Sequence, residues 1–306
     1  MLYRSKHSGG VWIDLEQPSE DEVRAVANEF GVSERIVAEL ITPSPSSLVA
    51  GEGDTAFSIL HFPSPGPEAG TVRNQEIDFI VGKRFIITVR YEVVAPLHAI
   101  RKLLEAEAIV AGRTPFSTDM LLEVLFAHLY ESARDHTRHL ADKLLRIERA
   151  MFSGSERMSI RDISDVSREF LHLEAALRSQ EEPLERFMRT LTERTAFGPG
   201  FSERAHRILS DRLQVAHFVE THRAMASELR ATNAALLESR QNDVMRTLTV
   251  ANFIFLPLEL VAFVFAMHAN GTPLTDTPNA FWIIMTFMLL IVGIMTLYFA
   301  KKRWIF

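Results

Sequence analysis

Cysteine is absent from all 306 residues. Disulfides and thiolate metal sites are therefore excluded, and any bound metal must use oxygen or nitrogen ligands. Lysine and arginine are missing from 247–299, where the only acids are Glu259 and Asp276. Proline and glycine are missing from 202–256. There is no glycine-rich phosphate loop, no His-Glu-x-x-His and no nucleophile elbow. Nucleotide-driven and hydrolytic chemistry are thus unsupported, and an enzyme is not expected. The opening residues, MLYRSKHSGGVWIDLEQ, hold no apolar core of the kind a signal peptide needs. A basic excess is missing too. The net charge is −6, and leaving out Lys301, Lys302, Arg303, Glu259 and Asp276 leaves 30 basic and 37 acidic residues. That balance argues against a nucleic-acid partner, whose binding depends on neutralising phosphates.

What is present is concentrated at the C-terminal end. Two apolar stretches, 248–269 and 281–300, are each long enough to cross a hydrocarbon core of ~30 Å. A polar break, Asn270-Gly-Thr-Pro-Leu-Thr-Asp-Thr-Pro-Asn279, separates them. Arg240 and Arg246 precede the first span, and Lys301-Lys302-Arg303 follows the second. By the positive-inside rule both termini are cytoplasmic, and only a short loop lies outside. Trp282 and Trp304 fall where an aromatic belt would place them. The plain alternative is a helical-hairpin anchor for a cytoplasmic domain.

Residues 11–16, 57–62, 76–81 and 84–90 read as strands, with Val81-Gly-Lys-Arg-Phe85 as a turn between the last two. Ser19, with acids after it, reads as the N-cap of a helix through Val23, Val26, Ala27 and Phe30. A second short helix covers 33–40. Residues 118–152 and 160–195 are amphipathic and read as an antiparallel helical hairpin. Phe197-Gly-Pro-Gly-Phe201 is a breaker. From 202 a single helix can run through the first span to 269, with a kink expected at Pro257. The fold class is an α+β cytoplasmic domain plus a long α-helical stalk and two transmembrane helices. The expected division is an α/β domain (1–100), a helical hairpin (101–200), a stalk helix (201–247), the first transmembrane helix (248–269), an external loop (270–280), the second transmembrane helix (281–300) and a basic tail (301–306).

Glu259 sits in mid-span, where an uncompensated charge costs at least ~2.5 kcal/mol. Such a residue is a candidate site by default. Asn242, Thr249, Leu256 and Phe263 recur every seven residues, as do Met245, Asn252, Glu259 and Ala266. The two sets interleave at spacings of three and four and form one seam. Phe253, Ile254, Phe255, Leu258, Leu260, Val261 and Val264 occupy the other faces. A single helix cannot enclose water, so a polar seam of this kind calls for several copies around a shared axis. A seam that only joins helices by hydrogen bonds explains Asn252 more easily than Glu259.

The run Asn242-Asp-Val-Met-Arg-Thr-Leu-Thr followed by Ile254-Phe-Leu-Pro-Leu resembles the first transmembrane helix of the CorA metal-ion transporter family. Val11-Trp-Ile-Asp-Leu with Pro18-Ser-Glu-Asp-Glu, Ile77-Asp-Phe-Ile-Val-Gly-Lys-Arg-Phe-Ile-Ile-Thr-Val, the paired C-terminal spans and the terminal Lys-Lys-Arg-Trp are similar too. The resemblance covers essentially the whole chain. It implies a homopentameric funnel in a prokaryotic inner membrane, with the first span of each subunit lining a pore for divalent metal ions. The implied pore residues are Asn242, Met245, Thr249, Asn252, Leu256, Glu259 and Phe263. No cofactor is implied beyond the divalent cation itself, Mg2+ or Zn2+.

Two positions depart from the family. Its Gly-Met-Asn signature at the outer end of the first span is replaced by Ala266-Met267-His268. In the family that Asn holds a hydrated Mg2+ through its carbonyl, whereas neutral imidazole prefers Zn2+, Ni2+ or Co2+. A protonated ring of histidines would repel cations and make ion access pH-sensitive. Glu259 stands where the family carries a small hydroxyl residue, and a ring of carboxylates there would concentrate cations. His268 and Glu259 are accordingly the candidate metal ligands. Three readings follow: a CorA-type transporter for Mg2+ or for Zn2+, Co2+ or Ni2+; a zinc-selective, proton-coupled carrier like the ZntB branch; and a non-conducting metal-sensing or scaffold protein.

Weaker candidates lie in the soluble part. His136 and His139, at i and i+3 near Asp135, can share a metal or sit as solvated helix surface. His217 and His222 are five apart and share no face. Asp211, Glu220 and Glu228 are candidates for a divalent site between subunits.

Overall fold

Val11, Ile13 and Leu15 alternate with Trp12, Asp14 and Glu16. That period of two sends one set to each face of a strand, β2 (Gly10–Glu16). The structure, a computed structural model, describes residues 1–7, 9–65, 72–111, 117–153, 156–193, 197–267 and 279–302. Five more strands join β2: β1 (Leu2–His7), β3 (Leu48–Glu52), β4 (Thr55–Pro65), β5 (Val72–Gly82) and β6 (Phe85–Arg90). The sheet order is β1-β2-β6-β5-β4-β3. Among the described residues only the β2–β6 pairing is parallel. β5 and β6 meet in a hairpin closed by the Gly82–Phe85 pair, where the sequence places a turn. Gly10 lets β2 begin hard against that turn, since a Cβ there would lie 1.8 Å from the Arg84 carbonyl oxygen.

One sheet face is covered by α1 (Glu20–Phe30) and α2 (Glu34–Leu40). Ser19 caps α1 as its sequence predicts: Glu22 N–H donates to Ser19 Oγ at 3.3 Å, and Ser19 N–H donates to Glu22 Oε2 at 3.0 Å. Gly31 ends the helix in the left-handed region at φ 69°. Val23, Val26, Ile36 and Val37 then pack on Ile13, Leu15, Ile80, Ile87 and Val89. α4 (Thr118–Phe152), α5 (Glu156–Ser179) and α6 (Glu181–Glu193) cover the other face. Phe79 stacks on Phe126 at 4.9 Å and meets Phe187 at 6.4 Å. A polar network is sealed in the same layer. Trp12 Nε1–H donates to Thr88 Oγ1, which donates to Asp14 Oδ1, and Arg90 donates to both Asp14 and Glu16.

Three features depart from expectation. The sheet gains β1 and β3, edge strands whose polar or short sequences carry little apolar alternation. A helix, α3 (Ala95–Ala111), precedes the hairpin and buries Leu97, Ile100 and Leu104. The second hairpin arm is not one helix but breaks at Gln180 into α5 and α6. Pro183 has no N–H to return to Ser179, so the α5 ladder cannot continue through it. Leu184 N–H bonds the Gln180 carbonyl at 2.9 Å and starts the next helix.

α7 (Ser202–Ala266) is helical for 65 residues, unbroken across Pro257, and α8 (Ala280–Lys301) follows. The chain forms two units, Met1–Arg230 and Ala231–Phe306, with α7 contributing to both.

Candidate functional site

In the second unit, α7 presents two opposed stripes. Val250, Ile254, Pro257, Leu258, Val261 and Phe265 are buried or half-buried. Phe253 meets Phe299 of α8 at 6.2 Å, and Phe299 is buried. The α8-facing side is therefore apolar. Glu259 lies two residues from Val261, about 200° around the helix at ~100° per residue, and is exposed. Asn242, Met245, Asn252, Leu256, Phe263, Ala266 and Met267 are exposed with it, and Thr249 is half-buried. These residues share one uncovered face. His268 and Asp276 lie outside the described residues.

Local chemistry shapes this face. Thr249 Oγ1–H donates to the Met245 carbonyl at 2.7 Å and Thr247 Oγ1–H to the Asp243 carbonyl at 2.9 Å. Their hydroxyl protons are used within the helix, so Thr249 offers oxygen lone pairs outward. Pro257 has no N–H, which leaves the Phe253 carbonyl without its usual helical donor. Both α7 and α8 contain a span-length apolar window, and only 6% of each window is buried by the chain itself. An apolar surface of that extent needs lipid or other copies. Lys301 and Lys302 close α8, with Lys302 Nζ 5.6 Å from the centre of the Tyr298 ring.

The profile of the CorA-like Mg2+ transporter protein family matches residues 7–303. The chain belongs to this family. Among relatives similar to it, the putative metal ion transporter YfjQ of Bacillus subtilis is 21% identical over 300 residues, covering 96% of this chain and 89% of the relative. The cobalt/magnesium transport protein CorA of Methanocaldococcus jannaschii is 21% identical over 299 residues, 96% of this chain and 91% of the relative. The complete structure of the CorA magnesium transporter from that organism superposes with a TM-score of 0.81 at 19% identity, over 97% of this chain and 92% of the other. The ZntB cytoplasmic domain from Vibrio parahaemolyticus gives 0.62 at 11% identity, over 76% of this chain and 89% of the other. The fold of this CorA-family chain, sheet domain and long α7 included, is therefore that of CorA.

The first unit of this CorA-family chain separates its candidates. His217 is exposed beside Glu220 at 3.6 Å. His222 instead packs between Phe218 and Phe170 and bonds the Phe218 carbonyl, a structural role. Asp211 is half-buried, and burial raises its pKa while Arg134 opposes the rise. Glu220 and Glu228 are exposed, so the three acids do not converge within one chain. Asp135 pairs with Arg138 at 2.7 Å. His136 turns away from it toward Glu169 of α5.

A cluster the sequence did not single out lies on β4 and β5. His61 and Glu76 help line a cavity of about 1190 Å³ beside the α5–α6 joint. Ser44 N–H donates to both Glu76 oxygens, and His61 Nε2 lies 2.9 Å from the Ser44 carbonyl and 3.7 Å from Glu76 Oε2. Glu76 raises the His61 pKa. Two residues on, Asp78 is fully buried, and burial with the nearby Glu76 charge raises its pKa well above the usual carboxylate value. The signal was present in Glu76-Ile-Asp78: two acids on one face of a strand, leading directly into the apolar run Phe79-Ile-Val81.

Proposed function

We propose that this chain is a subunit of a divalent-cation transporter of the inner membrane. Copies of α7 assemble as a homopentamer and line a pore with Asn242, Met245, Thr249, Asn252, Leu256, Glu259 and Phe263. The observation that carries the proposal is the uncovered polar seam on the side of α7 opposite α8, within an otherwise apolar span. Asn252 and Thr249 supply neutral oxygens, and Glu259 supplies negative charge where partner helices exclude bulk water. Such a ring lowers the electrostatic barrier to a cation and concentrates it locally. The sequence carries no glycine-rich phosphate loop, and in this reading the ion moves down its electrochemical gradient. Both termini face the cytoplasm, since basic residues flank both spans on one side.

Ala266, Met267 and His268 form the outer mouth. His268 favours a second reading, a zinc-type carrier, because imidazole selects borderline metals over Mg2+. Uptake by proteoliposomes of Mg2+, Zn2+, Co2+ and Ni2+ at two pH values tests both. Uptake of any of these ions, lost on collapse of its gradient, supports transport, and Zn2+ without Mg2+ selects the carrier. Absence of uptake for every ion overturns both and leaves a metal-sensing or scaffold role.

A further inference from the structure

α4 and α5 bring an imidazole and a carboxylate face to face, Glu169 buried and His136 half-buried. His136 Nε2 lies 3.7 Å from Glu169 Oε2, with the two side chains 14% and 6% exposed. That separation exceeds a hydrogen bond. His136 Nε2 is sealed from solvent and has no hydrogen-bond partner. Lys143 Nζ stands 3.7 Å from the other carboxylate oxygen, Oε1. An imidazole nitrogen and a carboxylate buried without a direct bond cost stability, and an atom bonded to both would recover it.

The gap fits a metal ion. Arms of ~2.0–2.2 Å to nitrogen and oxygen span 3.7 Å at an angle of roughly 125°, which a small side-chain shift brings to tetrahedral. His139, one turn along α4, is exposed at the rim and close enough for its charge to act on both His136 and Glu169. Among the described residues no three such side chains already converge. Two ligands are preset, and the third must swing in.

We propose that His136, Glu169 and His139 form a binding site in the helical pair for a borderline divalent cation such as Zn2+, Co2+ or Ni2+. Mg2+ is disfavoured, because it demands an octahedral shell of oxygens. Lys143, which now neutralises Glu169, is the competitor the metal displaces. The site belongs to the first unit and stands or falls independently of the α7 seam.

Titration of the purified full chain with Co2+ in excess Mg2+, followed by visible absorption, tests it. One Co2+ per chain is expected in a low-symmetry nitrogen–oxygen environment, displaced by Zn2+ and not by Mg2+. His136→Asn and Glu169→Gln should each weaken it by about tenfold or more. Lys143→Met should bind Co2+ at least as tightly as the parent. His268→Ala should leave the signal intact, which separates this site from the outer mouth. If either buried variant fails to fold, exposed His139→Ala decides: weaker Co2+ binding supports the site. A parent without a saturable signal, or one unchanged by His139→Ala, overturns it.

Discussion

Arg90 and Asp14 face each other on neighbouring parallel strands as a sealed ion pair, Nη2 to Oδ2 at 2.8 Å with neither side chain exposed. The β2–β6 register aligns Glu16 with Arg90 and Asp14 with Thr88, so one guanidinium reaches both acids. Breaking a buried pair strands a charge, at a cost of about 3–5 kcal/mol. Arg90→Met should therefore lower the melting temperature of the sheet domain sharply. The double variant Arg90→Met with Asp14→Leu should recover much of the loss. Thermal melts followed by circular dichroism check both, and an Arg90→Met melt matching the parent would show that the pair contributes little.

Asp78 gives the sheet domain a pH dependence of definite sign. Tyr91 Oη lies 3.0 Å from Asp78 Oδ2 and 3.1 Å from the Leu40 carbonyl oxygen. One phenolic proton serves only one acceptor, and both contacts are satisfied when Asp78 carries a proton and donates it to Tyr91. Its folded pKa lies above the unfolded one, so the folded state binds the extra proton. That stability is complete below the unfolded value of about 3.8 and is lost as pH rises through the folded pKa. His61, also raised, acts in the same direction, above about 6.5. Stability should fall on alkalinisation, and Asp78→Asn should flatten the lower part of that slope at a cost of roughly 1 kcal/mol or less. Melting curves from pH 5 to 9 measure it; a slope of opposite sign would refute the protonated state.

Glu259→Gln keeps shape and removes charge. If the seam lines a pore, uptake at sub-saturating ion should fall about tenfold or more, with a weaker preference for divalent over monovalent cations. Asn252→Ala should reduce it less. Isotope flux in proteoliposomes is the measurement, and equal flux for parent and Glu259→Gln would remove Glu259 from the conduction path.

His268→Asn restores the oxygen ligand of the family signature. It should shift relative uptake from Zn2+, Co2+ and Ni2+ toward Mg2+ and abolish any loss of uptake between pH 7 and pH 5.5 that a protonated histidine ring imposes. An unaltered ion order at both pH values would assign selectivity elsewhere.

The fold was legible where periodicity was strong and flanked by distinctive residues. Ser19 with Glu22 announced α1, and the Val11–Leu15 alternation announced β2. The 202–256 run announced most of α7 through its want of glycine and proline. β1 escaped because Arg4 and Lys6 occupy positions where alternation would show, and its partner, β2, supplies the apolar half. The α5–α6 break was readable in Pro183, but amphipathic spacing on both sides masked it. At the site, spacing alone grouped Asn242 through Phe263. It could not reveal Glu169 opposite His136, since that contact joins residues on two helices. The available hint was a charge on a face of α5 otherwise filled by Ile163, Val166, Phe170 and Leu173.

Trp12 is sealed in the Arg90 network with its indole N–H committed to Thr88, while Trp282 is 70% exposed in the first turn of α8. The two indoles differ in emission as a result. Trp12 emits from a rigid, dry surround and shifts to the red when the sheet melts. Trp282 is open to quenching by brominated acyl chains when α8 is inserted in lipid. Unfolding of the first unit and insertion of the second can thus be followed by fluorescence with Trp304 replaced by Phe, each signal assigned by replacing one of the two remaining tryptophans.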